Sequence, residues 1–198
     1  MHLRTMAIGG LFLAVAAVLA GCASRAGRTA GGERRPIVTI QTSQGTITAE
    51  LWPDKAPITV ENFLRYVDEK HYDQTIFHRC IRGFMIQGGG FTPGFQKKAA
   101  RGPIRNEADN GVRNLRGTLA MARTGAVNSA TAEFFINTED NRILDHEVRD
   151  FGYAVFGQVT EGMDVVHKIE RAPVVGDPRE GRPAKPVVIQ SIRRAGAQ

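Results

Sequence analysis

Phe77-His78-Arg79-Cys80-Ile81-Arg82-Gly83-Phe84-Met85-Ile86-Gln87-Gly88-Gly89-Gly90 is the stretch whose reading decides the fold. Two short apolar runs, residues 75–81 and 84–87, flank Arg82-Gly83, which is the pattern of a tight hairpin. Strict alternation along the first run puts Thr75, Phe77 and Arg79 on one face, and Ile76, His78 and Cys80 on the other. In the second run Met85 and Gln87 share a face. One surface then carries a permanent cation (Arg79), an amide able to hold it (Gln87) and a soft apolar floor (Phe84, Met85).

On the N-terminal side, residues 37–42 and 46–51 alternate around Ser43-Gln44-Gly45 and form a second hairpin. Pro57 suits a first helical position, where a missing N–H costs nothing. Val60, Phe63, Leu64 and Val67 follow at helical spacing, so residues 57–70 make an amphipathic helix with its apolar stripe toward the core. On the C-terminal side, Gly88-Gly89-Gly90 lacks the Lys-Ser/Thr of a phosphate loop; the glycines instead let the strand bend and another backbone come close. Residues 91–114 are rich in glycine and proline, and a long irregular span of this kind is expected to shape a binding site.

Strands are expected over 117–123, 129–137, 153–159 and 187–192, with a second helix over 162–171. In the second of these strands Glu133 and Phe135 share one face, while Phe134 and Ile136 point the other way into the core. The last strand is free to pair with the first. About eight strands, two helices and frequent turn signals indicate a mainly all-β fold, a closed eight-stranded antiparallel barrel capped by two α-helices. Closure removes the exposed edges that invite aggregation.

At 198 residues the chain suits one domain plus extras. The two cysteines, Cys22 and Cys80, and five scattered histidines lack metal-site spacing, so no metal or other cofactor is expected. The net charge is +6, but residues 22–36 hold four arginines against one glutamate, leaving the rest nearly balanced. With no accompanying nucleic-acid motif, this charge does not imply nucleic-acid binding. Residues 1–21 read as an export signal, with Arg4 ahead of an uncharged core. Leu19-Ala20-Gly21-Cys22 resembles the bacterial lipobox, which implies lipid on Cys22, a flexible basic linker over 22–36 and a folded domain over 37–195. A plain secretory signal cut after Ala23 is the competing reading.

The Phe77–Gly90 stretch resembles the central motif of cyclophilin-type peptidyl-prolyl isomerases. The likeness runs from about Ile37 to Ile192, takes in Phe151-Gly152-Tyr153-Ala154-Val155-Phe156-Gly157, and is nearest the bacterial periplasmic type. It implies a catalytic arginine at Arg79, a proline pocket of Phe84, Met85, Phe135 and Leu144, and a supporting amide at Gln87. It also implies that the backbone of Ala122 and Arg123 pairs with the substrate chain, and that Tyr153 stands where many relatives have histidine. Two residues depart from the pattern. Glu133 replaces a usual glutamine and is expected to pair with Arg79 if its carboxylate reaches that far. Ile143 replaces a frequent aromatic at the rim, which puts tight cyclosporin binding in doubt.

The implied activity is rotation about X-Pro bonds in proline-containing segments of exported proteins, by a monomer tethered to a membrane at the cell envelope through Cys22. The alternative is a proline-peptide-binding chaperone or adaptor module with little turnover.

Overall fold

The computed structural model describes residues 1–2 and 35–196. The signal, Cys22 and the linker up to residue 34 lie outside the described residues. Eight strands run β1 (Ile37–Thr42), β2 (Gly45–Leu51), β3 (Thr75–Ile81), β4 (Met85–Gly88), β5 (Thr118–Met121), β6 (Phe134–Asn137), β7 (Val155–Glu161) and β8 (Val187–Arg194). They close an antiparallel barrel in the order β1-β2-β7-β5-β6-β4-β3-β8. As the sequence suggests, β8 pairs with β1, and it bonds to β3 on its other side. The expected strand over 129–137 is shorter than its pattern: only Phe134–Asn137 lies in the ladder, and Ala130 makes one isolated bridge to Ile104.

Among the described residues two α-helices, α1 (Pro57–Asp68) and α2 (Met163–Glu170), turn their apolar stripes into the same cluster as the barrel interior. That interior is aromatic at its centre, where Phe63 of α1 packs against Tyr72, Phe134 and Phe156 with ring centroids 5.1–5.4 Å apart. The N-terminus of α1 begins after Ala56, which has no side chain to cap it. Glu107, nearly buried, does the work from a distance: its carboxylate accepts from the N–H groups of Ile58 (3.1 Å) and Thr59 (2.8 Å) and from the Thr59 hydroxyl (2.7 Å). Negative charge there also complements the positive end of the helix dipole. This contact pins the long 91–114 span to the body of the fold.

Strict alternation fails in β3. Phe77 pairs with Gly88, but Arg79 pairs with Gln87 and Cys80 with Ile86, so His78 is one residue too many for its partner strand. Such a bulge flips the parity of everything before it relative to everything after. Phe77 therefore does not share a face with Arg79; it lies inside the barrel with Cys80, against Phe134 at 6.1 Å. The parity read for the other strands holds: Ile86, Phe134 and Ile136 are inside, while Met85 and Phe135 belong to a separate outer cluster. Cys80 is sealed in the interior, and burial, with the Glu170 charge behind it, pushes its thiol up to about 12. At Gly89 the backbone takes φ +89°, a conformation a side chain resists, as the strand leaves the sheet.

Because Phe134 sits at the centre of the aromatic cluster, Phe134→Ala should cost about 3–5 kcal/mol of stability, read from the urea midpoint at unchanged slope.

Candidate active site

Register carries the site across four adjacent strands. Arg79 faces Gln87, Gln87 faces Phe135, and Phe135 faces Ala120, a single row on the outer surface of β3, β4, β6 and β5. The neighbouring row is Ile81, Met85 and Asn137. Between these rows and the segment after β6 lies a cavity of about 190 Å³, lined by Arg79, Phe84, Met85, Gln87, Ala122, Arg123, Phe135, Leu144, Arg149 and Tyr153. Nine of the ten residues singled out in the sequence for substrate or catalysis thus meet at one cavity; Glu133 does not line it.

The floor is apolar. Met85, Phe135 and Leu144 are buried in the outer cluster with Ala120 and Val155, and the Tyr153 ring meets Phe135 edge-on at 5.7 Å. Arg79 stands at the wall with no ion-pair partner among the described residues. Arg123, by contrast, is committed. Its guanidinium donates to Gly152 O (2.9 Å), Thr124 O (3.0 Å) and Asp150 Oδ1 (2.6 Å), and it lies 4.7 Å above the Tyr153 ring. Ala122 spends its N–H on Glu133 O (3.0 Å), which leaves its carbonyl for a ligand backbone.

Glu133 does not pair with Arg79. Its Oε2 accepts from Gln87 Nε2 at 2.9 Å and lies 3.4 Å from His78 Nε2, so the carboxylate engages the amide and the bulge residue instead. The reason is the same bulge: it turns His78 toward Glu133, while Gln87 stands between the acid and the arginine row. Burial pushes the His78 imidazole below its usual range; the Glu133 charge works the other way, and Arg79 and Lys97 add to the depression.

The cavity walls are held from behind by a chain of buried amides that sequence reading did not identify. Asn141 donates to Phe84 O (2.7 Å) and to Asn137 Oδ1 (2.7 Å). Asn137 donates to Asn114 Oδ1 (3.2 Å) and Thr118 Oγ1 (2.9 Å). Asn114 donates to Leu144 O (3.1 Å) and Tyr153 O (3.3 Å). Three wall residues from three separate segments are thereby fixed through one network. The 91–114 span shapes the site only in this indirect way, through Asn114 and through Val112 packed on the outer cluster; it supplies none of the lining residues.

A second anchor, Glu170 of α2, accepts from the Gly83 N–H (2.6 Å) and the Thr138 hydroxyl (2.6 Å) and contacts His167 Nδ1 (3.1 Å). Burial alone would raise its carboxyl, but these three partners hold it below the usual range. The hairpin turn that presents Phe84 is therefore tied, together with Thr138 just after β6, to α2. Arg149, a lining residue also absent from the sequence reading, sits in a loop with no motif; only the fold brings it to the cavity.

Removing the centre of the amide chain should be expensive out of proportion to its size. Asn137→Ala leaves Asn141, Asn114 Oδ1 and Thr118 each short of a partner in a buried setting, and should cost about 1–3 kcal/mol in urea unfolding.

The family model described as cyclophilin type peptidyl-prolyl cis-trans isomerase/CLD matches residues 37–194. Peptidyl-prolyl cis-trans isomerase A of Dickeya dadantii is 54% identical over 158 residues, covering 79% of this chain and 83% of that protein. Isomerase B of Escherichia coli is 52% identical over 163 residues, covering 79% and 98%. A crystal structure of a cyclophilin-type isomerase from Cryptosporidium parvum superposes with a TM-score of 0.71 at 27% identity, covering 83% of this chain and 99% of that one. The same protein in the presence of the dipeptide Ala-Pro gives a TM-score of 0.69, also at 27% identity, covering 80% and 98%. An apolar cleft floor, with the Arg79 guanidinium free at its wall while Arg123 and Arg149 are bonded to Asp150, suits chemistry in which no bond is broken, and the chain belongs to the cyclophilin-type peptidyl-prolyl cis-trans isomerases.

Proposed function

We propose that this isomerase acts on X-Pro bonds of exported proteins at the cell envelope, tethered as a monomer through lipid on Cys22, with Arg79 as its catalytic residue. The observation that carries the catalytic assignment is the Arg79 guanidinium standing unpaired, among the described residues, beside the apolar floor of the cavity. Phe84, Met85, Phe135 and Leu144, the apolar residues lining the cavity, take the proline ring. The support for the envelope is the uncharged run after Arg4 ending in Leu19-Ala20-Gly21-Cys22.

Rotation about a peptide bond is slow because the nitrogen shares its lone pair with the carbonyl, at a barrier of about 18–20 kcal/mol. A donor that stabilises the twisted bond more than the planar one lowers that barrier, while a pocket anchors the ring and the rest of the chain turns. Arg79 supplies the donor: it hydrogen-bonds the proline carbonyl and favours a pyramidal nitrogen in which resonance is lost. Bringing an event of about 100 s to milliseconds takes a factor of ~10⁵, or about 7 kcal/mol. Preorganised charge in a partly dry site is an effect of that kind. The apolar floor keeps the site dry.

Two measurements test this reading. Arg79→Ala should lower kcat/KM at least about tenfold in a proline-limited peptide assay while thermal unfolding barely moves, since the side chain lies outside the barrel. Parental turnover in the folded variant would remove Arg79 from the mechanism. Mass spectrometry of the mature protein should find an acylated Cys22 at the amino terminus, and Cys22→Ser should yield uncleaved precursor or soluble protein. An unmodified amino terminus at Ser24 would establish a plain secretory signal instead.

A further inference from the structure

Behind the cavity, Glu133 forms an arrangement of its own. Its side chain is 19% exposed and faces two potential donors, Gln87 Nε2 at 2.9 Å and His78 Nε2 at 3.4 Å. On its other side it is wedged against Gly90, where a Cβ would stand 2.5 Å from both Glu133 Cγ and Oε1. The His78 ring tilts over Phe91 at 4.6 Å, and its Nδ1 is buried with no partner.

A carboxamide has two ends of nearly the same shape, one that donates and one that accepts, and its orientation follows its partners. A carboxylate only accepts. Glu133 therefore draws the NH2 of Gln87 toward itself and leaves Oε1 for the cavity, where Arg79 is the strand partner of Gln87. A glutamine at 133 would make no such choice, because two facing amides are satisfied either way round. A flipped Gln87 would turn NH2 groups toward the guanidinium, donor against donor. The same carboxylate selects the His78 tautomer with the proton on Nε2, leaving the buried Nδ1 as the bare nitrogen.

We propose that Glu133 is a positioning residue: it locks the Gln87 amide with Oε1 on the side of Arg79, so that the neighbouring guanidinium faces an acceptor rather than a second donor and stays free for substrate. The proposal rests on the assignment of Arg79 and Gln87 to the reaction. It also gives the departure of this chain from the usual glutamine a role in preorganisation, without any proton transfer.

The test is a double-mutant cycle on the full chain, combining Glu133→Gln and Gln87→Ala, with kcat and KM measured in the proline-limited peptide assay. Glu133→Gln, nearly isosteric, should lower kcat at least about twofold at unchanged KM, and the same change should have no effect in the Gln87→Ala background. An equal loss in both backgrounds, or no loss in either, would overturn the proposal. A second readout is independent of turnover: side-chain amide NMR of Gln87 should show one well-separated pair of proton resonances in the parent and an altered, averaged pair in Glu133→Gln. Identical Gln87 resonances in the two proteins would overturn the proposal even if activity changed. A parental rate for Gln87→Ala with the NMR change intact would instead locate the failure in the role given to Gln87.

Discussion

The site depends on one surplus residue in one strand. A barrel strand alternates inside and outside, so two residues separated by one other must face the same way. This protein needs Phe77 inside, against Phe134, and Arg79 outside, in line with Gln87 and Phe135. Both demands are met only because His78 is bulged out of the β3–β4 ladder. Bulges re-aim side chains at a modest cost in ladder hydrogen bonds, and they gather next to functional sites for that reason. Here the extra residue also takes a place beside Glu133, so the device that splits core from cleft contributes to the cleft's electrostatics.

Around that row the cavity is assembled from pieces that are distant in the chain, and buried hydrogen bonds hold them in register. The amides of Asn141 and Asn114, linked through Asn137, donate to the carbonyls of Phe84, Leu144 and Tyr153, wall residues that lie outside the strands. Glu170 of α2 does the same for the N–H of Gly83. Satisfied polar networks of this kind rigidify what they touch, because any movement strands a buried donor or acceptor. For a reaction governed by the fit of a twisted bond, rigid walls matter more than reactive groups. The three arginines of the cavity illustrate the division: Arg123 and Arg149 are bonded into the frame, whereas Arg79 is left available.

Much of this was legible in the sequence, and the elements that were share a cause. The barrel, α1 and α2 are encoded by apolar periodicity within windows of four to twelve residues, and the Phe134/Phe135 split follows from parity along a single strand. The residues gathered at the cavity were reached through the Phe77–Gly90 stretch and its likeness to a family, since a lone Phe-x-Arg has no chemical signature of its own.

Matters of register, and of partners remote in sequence, were settled by the closed fold. The bulge at His78 comes from how β3 meets β4, and no property of His78 by itself announces it. Glu133 was expected to pair with Arg79 if it reached that far; the pairing of β4 with β6 and the closeness of Gly90 instead put it against Gln87. Glu107 capping a helix 48 residues away, Asn114 holding Leu144, and Arg149 at the cavity likewise depend on contacts that span the chain. Apolar periodicity was enough to assign inside and outside along the helices and the regular strands, though not across the β3 bulge, because solvation acts locally on a repeating backbone. Which polar group answers which was decided in three dimensions, because a hydrogen bond depends on distance and direction, and those exist only once the barrel has closed.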